Sequence, residues 1–218
     1  MAGERDANET PRRRSDGEET HAAILDAAMR LASIEGLSSL TIGRLAKELD
    51  VSKSGVFAHF RSKERLQQET ISAADEVFRR EVLAPTLAQP EGLAQVEGFC
   101  EAYLSYVERG VFPGGCFFAQ LLAEFDARSG PIHDRVVAVQ RGALDALEGM
   151  IETAKARGEL AADTDAAQLA FELYAALEFA NYVSTLDRDP TVVERGRTAV
   201  RSTLAAAATY GRSRTAAD

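Results

Sequence analysis

Basic and hydroxyl-bearing side chains are concentrated between residues 41 and 65, close to the starts of short helical segments. This stretch holds six basic and three acidic residues, although the 218-residue chain carries a formal charge of −9. Lys and Arg neutralise phosphates, and hydroxyl groups donate hydrogen bonds to phosphates or base edges. A locally basic segment on an acidic chain can therefore bind a nucleic acid, while the remainder discourages non-specific association. The six basic residues are Arg44, Lys47, Lys53, Arg61, Lys63 and Arg65.

Other kinds of chemistry find little support in the sequence. The spacing of Cys100, Cys116 and His133 matches no common zinc site, so we expect no metal and no cofactor. The sequence shows no Ser/His/Asp or Cys/His constellation and no phosphate-binding glycine loop, which argues against an enzyme. No apolar stretch approaches the roughly 18 residues of a membrane span. Because the N-terminus also lacks the apolar core of a signal peptide, we expect a soluble, cytoplasmic protein.

The composition favours an all-α fold. Pro is scarce at 6 residues, and the abundant Ala, Leu, Glu and Arg are good helix formers. Apolar residues recur with helical spacing, and caps and breakers divide the chain into about nine helices. Residues 1–17, charged and poor in large apolar side chains, are predicted to form a disordered tail. The predicted helices are 19–35, 42–49, 53–60, 63–84 (ended by Pro85), 91–109, 116–128, 131–157, 165–187 and 191–210.

The two short helices at 42–49 and 53–60, joined by a tight turn, have the layout of a helix-turn-helix. Thr41 and Ser52 can cap them, and Asp50 tolerates the left-handed conformation of such a turn. Helices this short need a core shared with their neighbours. The second of them would then lie in the major groove of DNA. We expect the shared core to consist of Ile24, Ala28, Leu31, Leu40, Ile42, Leu45, Leu49, Val51, Val56 and Phe60.

Residues 42–66 read IGRLAKELDVSKSGVFAHFRSKERL and resemble the signature of the TetR/AcrR family of transcriptional regulators. The resemblance is specific over about residues 20–66. It implies a homodimer with two parts: a three-helix DNA-binding head over 18–66, which binds a palindromic operator in double-stranded DNA, and a larger helical body over 67–218. The resemblance further implies that the body dimerises and holds a small ligand that releases the DNA.

The resemblance assigns DNA contacts to eight residues, most of them at the starts of the second, third and fourth helices and two, Phe57 and His59, further along the third. They are Thr41, Arg44, Ser52, Lys53, Ser54, Phe57, His59 and Lys63. Three positions depart from the family pattern: Phe57 replaces the usual Tyr, Asp50 stands at a turn position usually held by Gly, and Thr20-His21 replaces a basic residue. Each assignment has an alternative: the lysines as solvated surface, His59 packed on the first helix, and Phe57 in the core.

The aromatic-rich stretch 99–125 lies where the resemblance implies a cavity for a small apolar effector, although ordinary core packing explains aromatic residues equally well. The residues assigned to this cavity are Phe99, Tyr103, Phe117, Phe118, Phe125 and His133. Control by a protein partner, or by redox chemistry at Cys116 in the first turn of a helix, remains an alternative to a ligand.

The dimer interface is assigned to the last two helices, with intramolecular packing as the alternative. One predicted face consists of Ala166, Ala170, Leu173, Leu177 and Ala180, and the other of Ala199, Thr203 and Ala206.

Overall fold

A computed structural model describes residues 10–189 and 191–214, which contain helices and no strands, so the all-α class is confirmed. The chain divides between Ala74 and Asp75 into two compact units, slightly beyond the predicted boundary at residue 66. The N-terminal unit contains α1 (Thr10–Glu35), a 3₁₀ turn (Leu37–Ser39), α2 (Ile42–Glu48), α3 (Lys53–Phe60) and the first part of α4.

Helix α1 begins at Thr10 and not near Glu19, so it includes residues 10–17 of the predicted tail. The residues that follow Pro11 include three arginines, which are good helix formers, and Pro itself is tolerated in the first turn of a helix. Residues 1–9 of the predicted tail lie outside the described part of the chain.

The core of the N-terminal unit largely follows the predicted list. Seven of those ten residues are buried, and Ile42 and Leu49 are half-buried. Val51 is the error, because 49% of its surface is exposed. It follows Asp50, whose φ of 52° turns the chain outward before α3 begins. The buried members are Ile24, Ala28, Leu31, Leu40, Leu45, Val56 and Phe60.

Helix α4 passes through Pro85 instead of ending before it. The α-helical part Lys63–Phe78 continues through a π-helical turn (Arg79–Leu83) into an α-helical turn (Ala84–Leu87), and we treat the three as one helix. In the π turn, Ala84 N–H bonds to the carbonyl of Arg79, five residues earlier. This wider turn accommodates a proline, which lacks the N–H of a regular helix and clashes with the preceding turn.

The C-terminal unit contains the end of α4 and five further helices, which gives nine helices in the described residues. Asp165 caps α8 by accepting a hydrogen bond from Gln168 N at 3.0 Å. None of the helices in the described ranges is long and apolar enough to span a membrane. The five are α5 (Leu93–Glu108), α6 (Phe117–Phe125), α7 (Pro131–Ala156), α8 (Ala166–Asp187) and α9 (Thr191–Arg214).

Helices α8 and α9 pack closely against each other. A Cβ added at Gly196 would lie 2.9 Å from the Ala180 Cβ, so only glycine permits this approach. The stripe that was predicted to form one dimer face is buried within the single chain, because it supplies this packing. Its residues are Ala166, Ala170, Leu173, Leu177 and Ala180. On the second predicted face, Ala199 and Ala206 are exposed and Thr203 is half-buried.

Candidate nucleic-acid interface and buried polar site

Helix α3 is held by a well-defined start and end. Ser52 Oγ accepts a hydrogen bond from Gly55 N at 3.1 Å, which satisfies one of the free N–H groups of the first turn. Arg61 ends the helix in the left-handed conformation, with φ 62°. Val56 and Phe60 are buried, so they fix which face of α3 points away from solvent.

The other face of α3 is exposed and carries three of the predicted DNA contacts. Lys53, Ser54 and Phe57 are exposed there, and the Ser54 hydroxyl lies 3.0 Å from that of Ser52. Phe57 is 52% exposed, so the alternative that it belongs to the core does not hold. A cation, hydroxyls and an apolar ring on one helix face provide the groups that contact phosphates, base edges and thymine methyls.

Thr41 and Arg44 both form hydrogen bonds within the N-terminal unit. Thr41 Oγ1 accepts from Arg44 N at 3.0 Å and so caps α2, while its own hydrogen remains available to an outside acceptor. The Arg44 guanidinium binds both oxygens of Glu35, at 2.6 and 3.1 Å, and also Glu48 at 2.8 Å. These hydrogen bonds, first to Glu35 and then to Glu48, raise the pKa of Arg44. Arg44 thus joins α1 to α2, with its charge already neutralised.

Lys63 and Arg65 also have partners inside the N-terminal unit. Lys63 Nζ donates to the Ser38 carbonyl at 2.6 Å, which ties the start of α4 to the 3₁₀ turn. Arg65 Nε donates to Glu69 at 2.6 Å. Lys63 is exposed and bonds to a neutral carbonyl, whereas the charge of Arg65 is paired with that of Glu69.

His59 is half-buried and packs toward α1. Its ring centroid lies 5.6 Å from that of His21 and 6.3 Å from that of Phe60. His21 stacks on Phe60 at 4.8 Å, and its Nε2 lies 2.9 Å from Glu69. His21, in the middle of α1, therefore helps to join α1, α3 and α4. Lys47 and Arg61, which belong to the basic stretch but were assigned no individual DNA contact, are also exposed.

The predicted ligand residues are mostly packed core in the C-terminal unit. Phe99 and Phe117 are fully buried, and Phe125 lies under the guanidinium of Arg128 at 4.8 Å. His133 is half-buried with its Nδ1 3.1 Å from Asp134. Phe118 and Tyr103 surround the Phe78 ring edge-on, with centroids 6.1 and 6.4 Å away.

A small cavity of about 20 Å³ lies beside Phe118, among α4, α6, α7 and α8. Its volume suits one water molecule and not an effector. Of the six predicted ligand residues, Phe118 alone is among those that line it, together with Phe78, Cys116, Leu122, Val136, Val139, Gln140, Ala143 and Tyr174.

Next to this cavity is a polar cluster that sequence analysis missed. Tyr103 Oη donates to Glu178 Oε1 at 2.8 Å, and Tyr174 Oη donates to Gln140 Oε1 at 3.0 Å. Burial raises the pKa of the Glu178 carboxyl, although the tyrosine hydrogen bonds act in the opposite direction. The sequence signal was available, because Tyr174 and Glu178 lie four residues apart beside a buried apolar stripe of α8.

Cys116 stands at the N-terminal end of α6, but its thiol is not activated. Burial raises its pKa to about 11, and the negative charge of Glu178 adds to the effect. Burial likewise raises the pKa of Cys100 to about 12. Desolvation of the thiolate therefore outweighs the backbone hydrogen bonds from Ala119 and Phe118 at the helix start, which act to lower the pKa. In the ranges that the structure covers, no three His, Cys, Asp or Glu side chains are grouped as metal ligands.

Two family descriptions match the chain. "Bacterial regulatory proteins, tetR family" matches residues 24–70, which include the helix-turn-helix. "Tetracyclin repressor-like, C-terminal domain" matches residues 92–200, half of the chain.

Individual relatives agree with these matches. The HTH-type transcriptional regulator AcrR of Shigella flexneri is 38% identical over 56 residues, which are 26% of each protein, so the chain spans about a quarter of that relative. SrpR of Pseudomonas putida, also an HTH-type transcriptional regulator, is 24% identical over 152 residues, 69% of this chain and 68% of SrpR.

Solved structures share the fold. A TetR transcriptional regulator from Chloroflexus aurantiacus is 25% identical, with a TM-score of 0.80 over 88% of this chain and 96% of its own. AibR, solved in complex with isovaleryl coenzyme A and operator DNA, is 20% identical, with a TM-score of 0.62 over 74% of this chain and 85% of its own.

Proposed function

Because the chain belongs to the TetR family of transcriptional regulators, we propose that it is a homodimeric repressor that binds a palindromic operator and is released by a small lipophilic ligand. Members of this family are DNA-binding regulators and not enzymes. The observation that carries the proposal is the exposed face of α3, where Lys53, Ser54 and Phe57 project from a capped helix. In this proposal α3 lies in the major groove, with its first turn at the base edges.

Thr41 and Ser52 are proposed to contact phosphates through the hydroxyl hydrogens that capping leaves available, and Lys63 to do so from the start of α4. Arg44 and His59 take a supporting role in this proposal, since both are engaged with neighbouring helices. Their contribution to binding is the placement of α2 and α3.

An exposed apolar stripe on α8 supports the dimer. Phe171, Phe179, Tyr182 and Leu186 are each more than half exposed and recur along one helix face. Large apolar side chains in a continuous stripe are typical of an interface, and a two-fold axis would bring the same stripe of both protomers together. In the proposed dimer, the exposed small residues of α9, including Ala199 and Ala206, complete a four-helix contact. The two α3 helices would then enter major grooves about 34–36 Å apart.

We place the effector at the cavity beside Phe118. AibR, which shares the fold, was solved with both an acyl coenzyme A and DNA, so this architecture accommodates a ligand and an operator. A ligand larger than the present cavity has to displace α6, α7 or α8. Ligand binding would thus favour a different arrangement of the C-terminal unit, and release of DNA would follow from a shift in population.

The test is binding of the pure protein to DNA from around its own gene, measured by fluorescence anisotropy at two salt concentrations with non-specific competitor. We expect tight binding that survives competitor and weakens with salt. Lys53→Ala should weaken it without lowering the melting temperature, and Arg141→Ala, which removes one charge from the exposed surface of α7, should not. Equal binding by wild type and Lys53→Ala would mean that α3 is not the recognition helix. Loss of all specific binding, including to DNA selected from random sequence, would contradict the proposed function.

A further inference from the structure

A carboxylate stands among tyrosines inside the C-terminal unit. Glu178 accepts a hydrogen bond from Tyr103 Oη at 2.8 Å, and Tyr174, one turn earlier on α8, donates to Gln140 Oε1 at 3.0 Å. No Lys, Arg or His forms an ion pair with Glu178 in the described part of the chain. Glu178 is half-buried, so its carboxylate is partly shielded from solvent without a cationic partner, which is an unfavourable position for a negative charge.

A second polar group at this place lacks a partner. The Tyr106 side chain is 1% exposed, and its hydroxyl makes no hydrogen bond with the residues that the structure describes. Its ring centroid lies 6.2 Å from that of Tyr103, whose hydroxyl donates to Glu178. Buried hydroxyl groups are normally satisfied, so the unpaired Tyr106 hydroxyl indicates a polar group that the protein itself does not supply.

The cavity beside Phe118 connects this polar cluster to an apolar space. Tyr174 lines the cavity one turn before Glu178 on α8, and Cys116 lines it next to Tyr106. The remaining wall is aromatic and aliphatic, with Phe78, Leu122 and Val139 among its residues. A molecule that enlarges the cavity past Tyr174 would place one end among apolar side chains and the other at the carboxylate.

Glu178 and the aromatic rings around it favour a positive charge at the end of the ligand that reaches the carboxylate. An ammonium group would supply the missing counter-charge to Glu178 and would also be attracted to the faces of the surrounding aromatic rings. A ligand carboxylate would be repelled. The acidic body favours the same sign, since residues 66–218 hold 14 basic and 23 acidic residues.

We propose, as a refinement that rests on the function proposed above, that the effector is a lipophilic organic amine whose ammonium group pairs with Glu178 and whose apolar part fills the enlarged cavity beside Phe118. The site thus takes molecules with one positive charge at the end of a compact apolar body.

Three probes that share one scaffold test this assignment: 4-phenylbutylamine, 4-phenylbutan-1-ol and 4-phenylbutyrate. Their binding to the full-length dimer is measured by calorimetry, with wild type, Glu178→Gln and Glu148→Gln, an acidic-to-amide control on α7. We expect the amine to bind at least tenfold more tightly than the alcohol or the acid. Glu178→Gln should weaken amine binding at least tenfold and change alcohol binding less than twofold, and Glu148→Gln should change neither. Tyr174→Phe keeps the aromatic ring at position 174 and leaves the charge of Glu178 in place. It should therefore weaken amine binding only a fewfold.

Several outcomes would overturn the proposal. If the alcohol binds as tightly as the amine, or Glu178→Gln leaves amine binding unchanged, Glu178 is not recognising a cation. If none of the three probes binds at millimolar concentration, the assigned ligand class is wrong. DNA binding measured on the same samples separates these failures from failure of the proposed function, because a repressor with a different effector still binds its operator. An amine that binds at Glu178 without releasing DNA supports the site and contradicts its proposed regulatory role.

Discussion

The side chain of Lys53 in α3 lies across the backbone of Gly43 in α2. A Cβ built on Gly43 would be 3.3 Å from Lys53 Cε and 3.6 Å from Nζ, closer than side chains normally approach. Glycine in the middle of a helix costs about 1 kcal/mol relative to alanine. The missing side chain at Gly43 leaves the space through which the Lys53 side chain runs.

Gly43→Ala should therefore separate stability from DNA binding. We expect unchanged or slightly higher thermal stability, because alanine favours the helix, together with severalfold weaker operator binding, because Lys53 Cε has to move. Gly149→Ala in α7 is the matched control, since a Cβ there meets no other atom within 4 Å and should leave DNA binding unchanged. Equal DNA affinity for wild type and Gly43→Ala would show that the position of Lys53 is not set by Gly43.

The apolar stripe on α8 predicts the oligomeric state. Phe179→Glu places a charge at a residue that is 69% exposed in the single chain, so folding of the protomer should tolerate it while association should not. Light scattering should give a dimer of the 23.5 kDa chain for wild type and a monomer for the variant. Leu87→Glu, at a residue 64% exposed on α4, should remain dimeric. A wild-type monomer in dilute solution would refute the proposed operator geometry.

Glu178 should make stability depend on pH in a definite direction. Burial raises its pKa in the folded chain, so the folded state holds the proton more tightly than the unfolded state does. Its favourable contribution is complete below the ordinary value of 4.5 and is lost as pH rises through the folded pKa. Tyr103, Tyr174 and Cys116 stay neutral over this range, because burial raises the pKa of each.

The measurement compares urea unfolding of wild type and Glu178→Gln from pH 5 to pH 7.5. We expect the variant to gain stability relative to wild type as the pH rises, and the Glu148→Gln control to show no such trend. A constant difference across the range would mean that Glu178 titrates at the same pH in both states.

Both thiols should react slowly in the folded protein. With a pKa of about 11, only about one Cys116 side chain in ten thousand is a thiolate at pH 7, and burial restricts access further. We expect reaction with a disulfide reagent to be at least a hundredfold slower in the native protein than in urea. Rapid reaction of Cys116 in the native state, accompanied by loss of DNA binding, would restore the redox hypothesis.

The helices were predictable because their signals are local. Thr41, Ser52 and Asp165 cap helices as their side chains allow, and the predicted ends of α3, α7 and α8 agree with the structure within a residue. The start of α1 and the passage of α4 through Pro85 were not predictable in the same way. In α1 and in α4 alike, the helix includes residues of a kind that often ends a helix.

Side-chain roles were less predictable because they depend on partners far apart in the sequence. Arg44 meets Glu35, Lys63 meets the Ser38 carbonyl, and Glu178 meets Tyr103, which is 75 residues away. The apolar stripe of α8 was predicted to form a dimer face, and the structure buries it within the single chain. The sequence alone did not distinguish packing within the chain from packing between two chains.

Arg44 is paired with Glu35 and Glu48, and Arg65 is paired with Glu69. These ion pairs affect how DNA binding would depend on the ionic strength of the cell. Four of the six basic residues between 41 and 65 then remain to displace counterions from DNA. A dimer that uses four from each protomer would show a logarithmic salt slope of about −7, against about −11 if all six took part. Operator occupancy would then persist over a wider range of intracellular salt than the number of basic residues indicates.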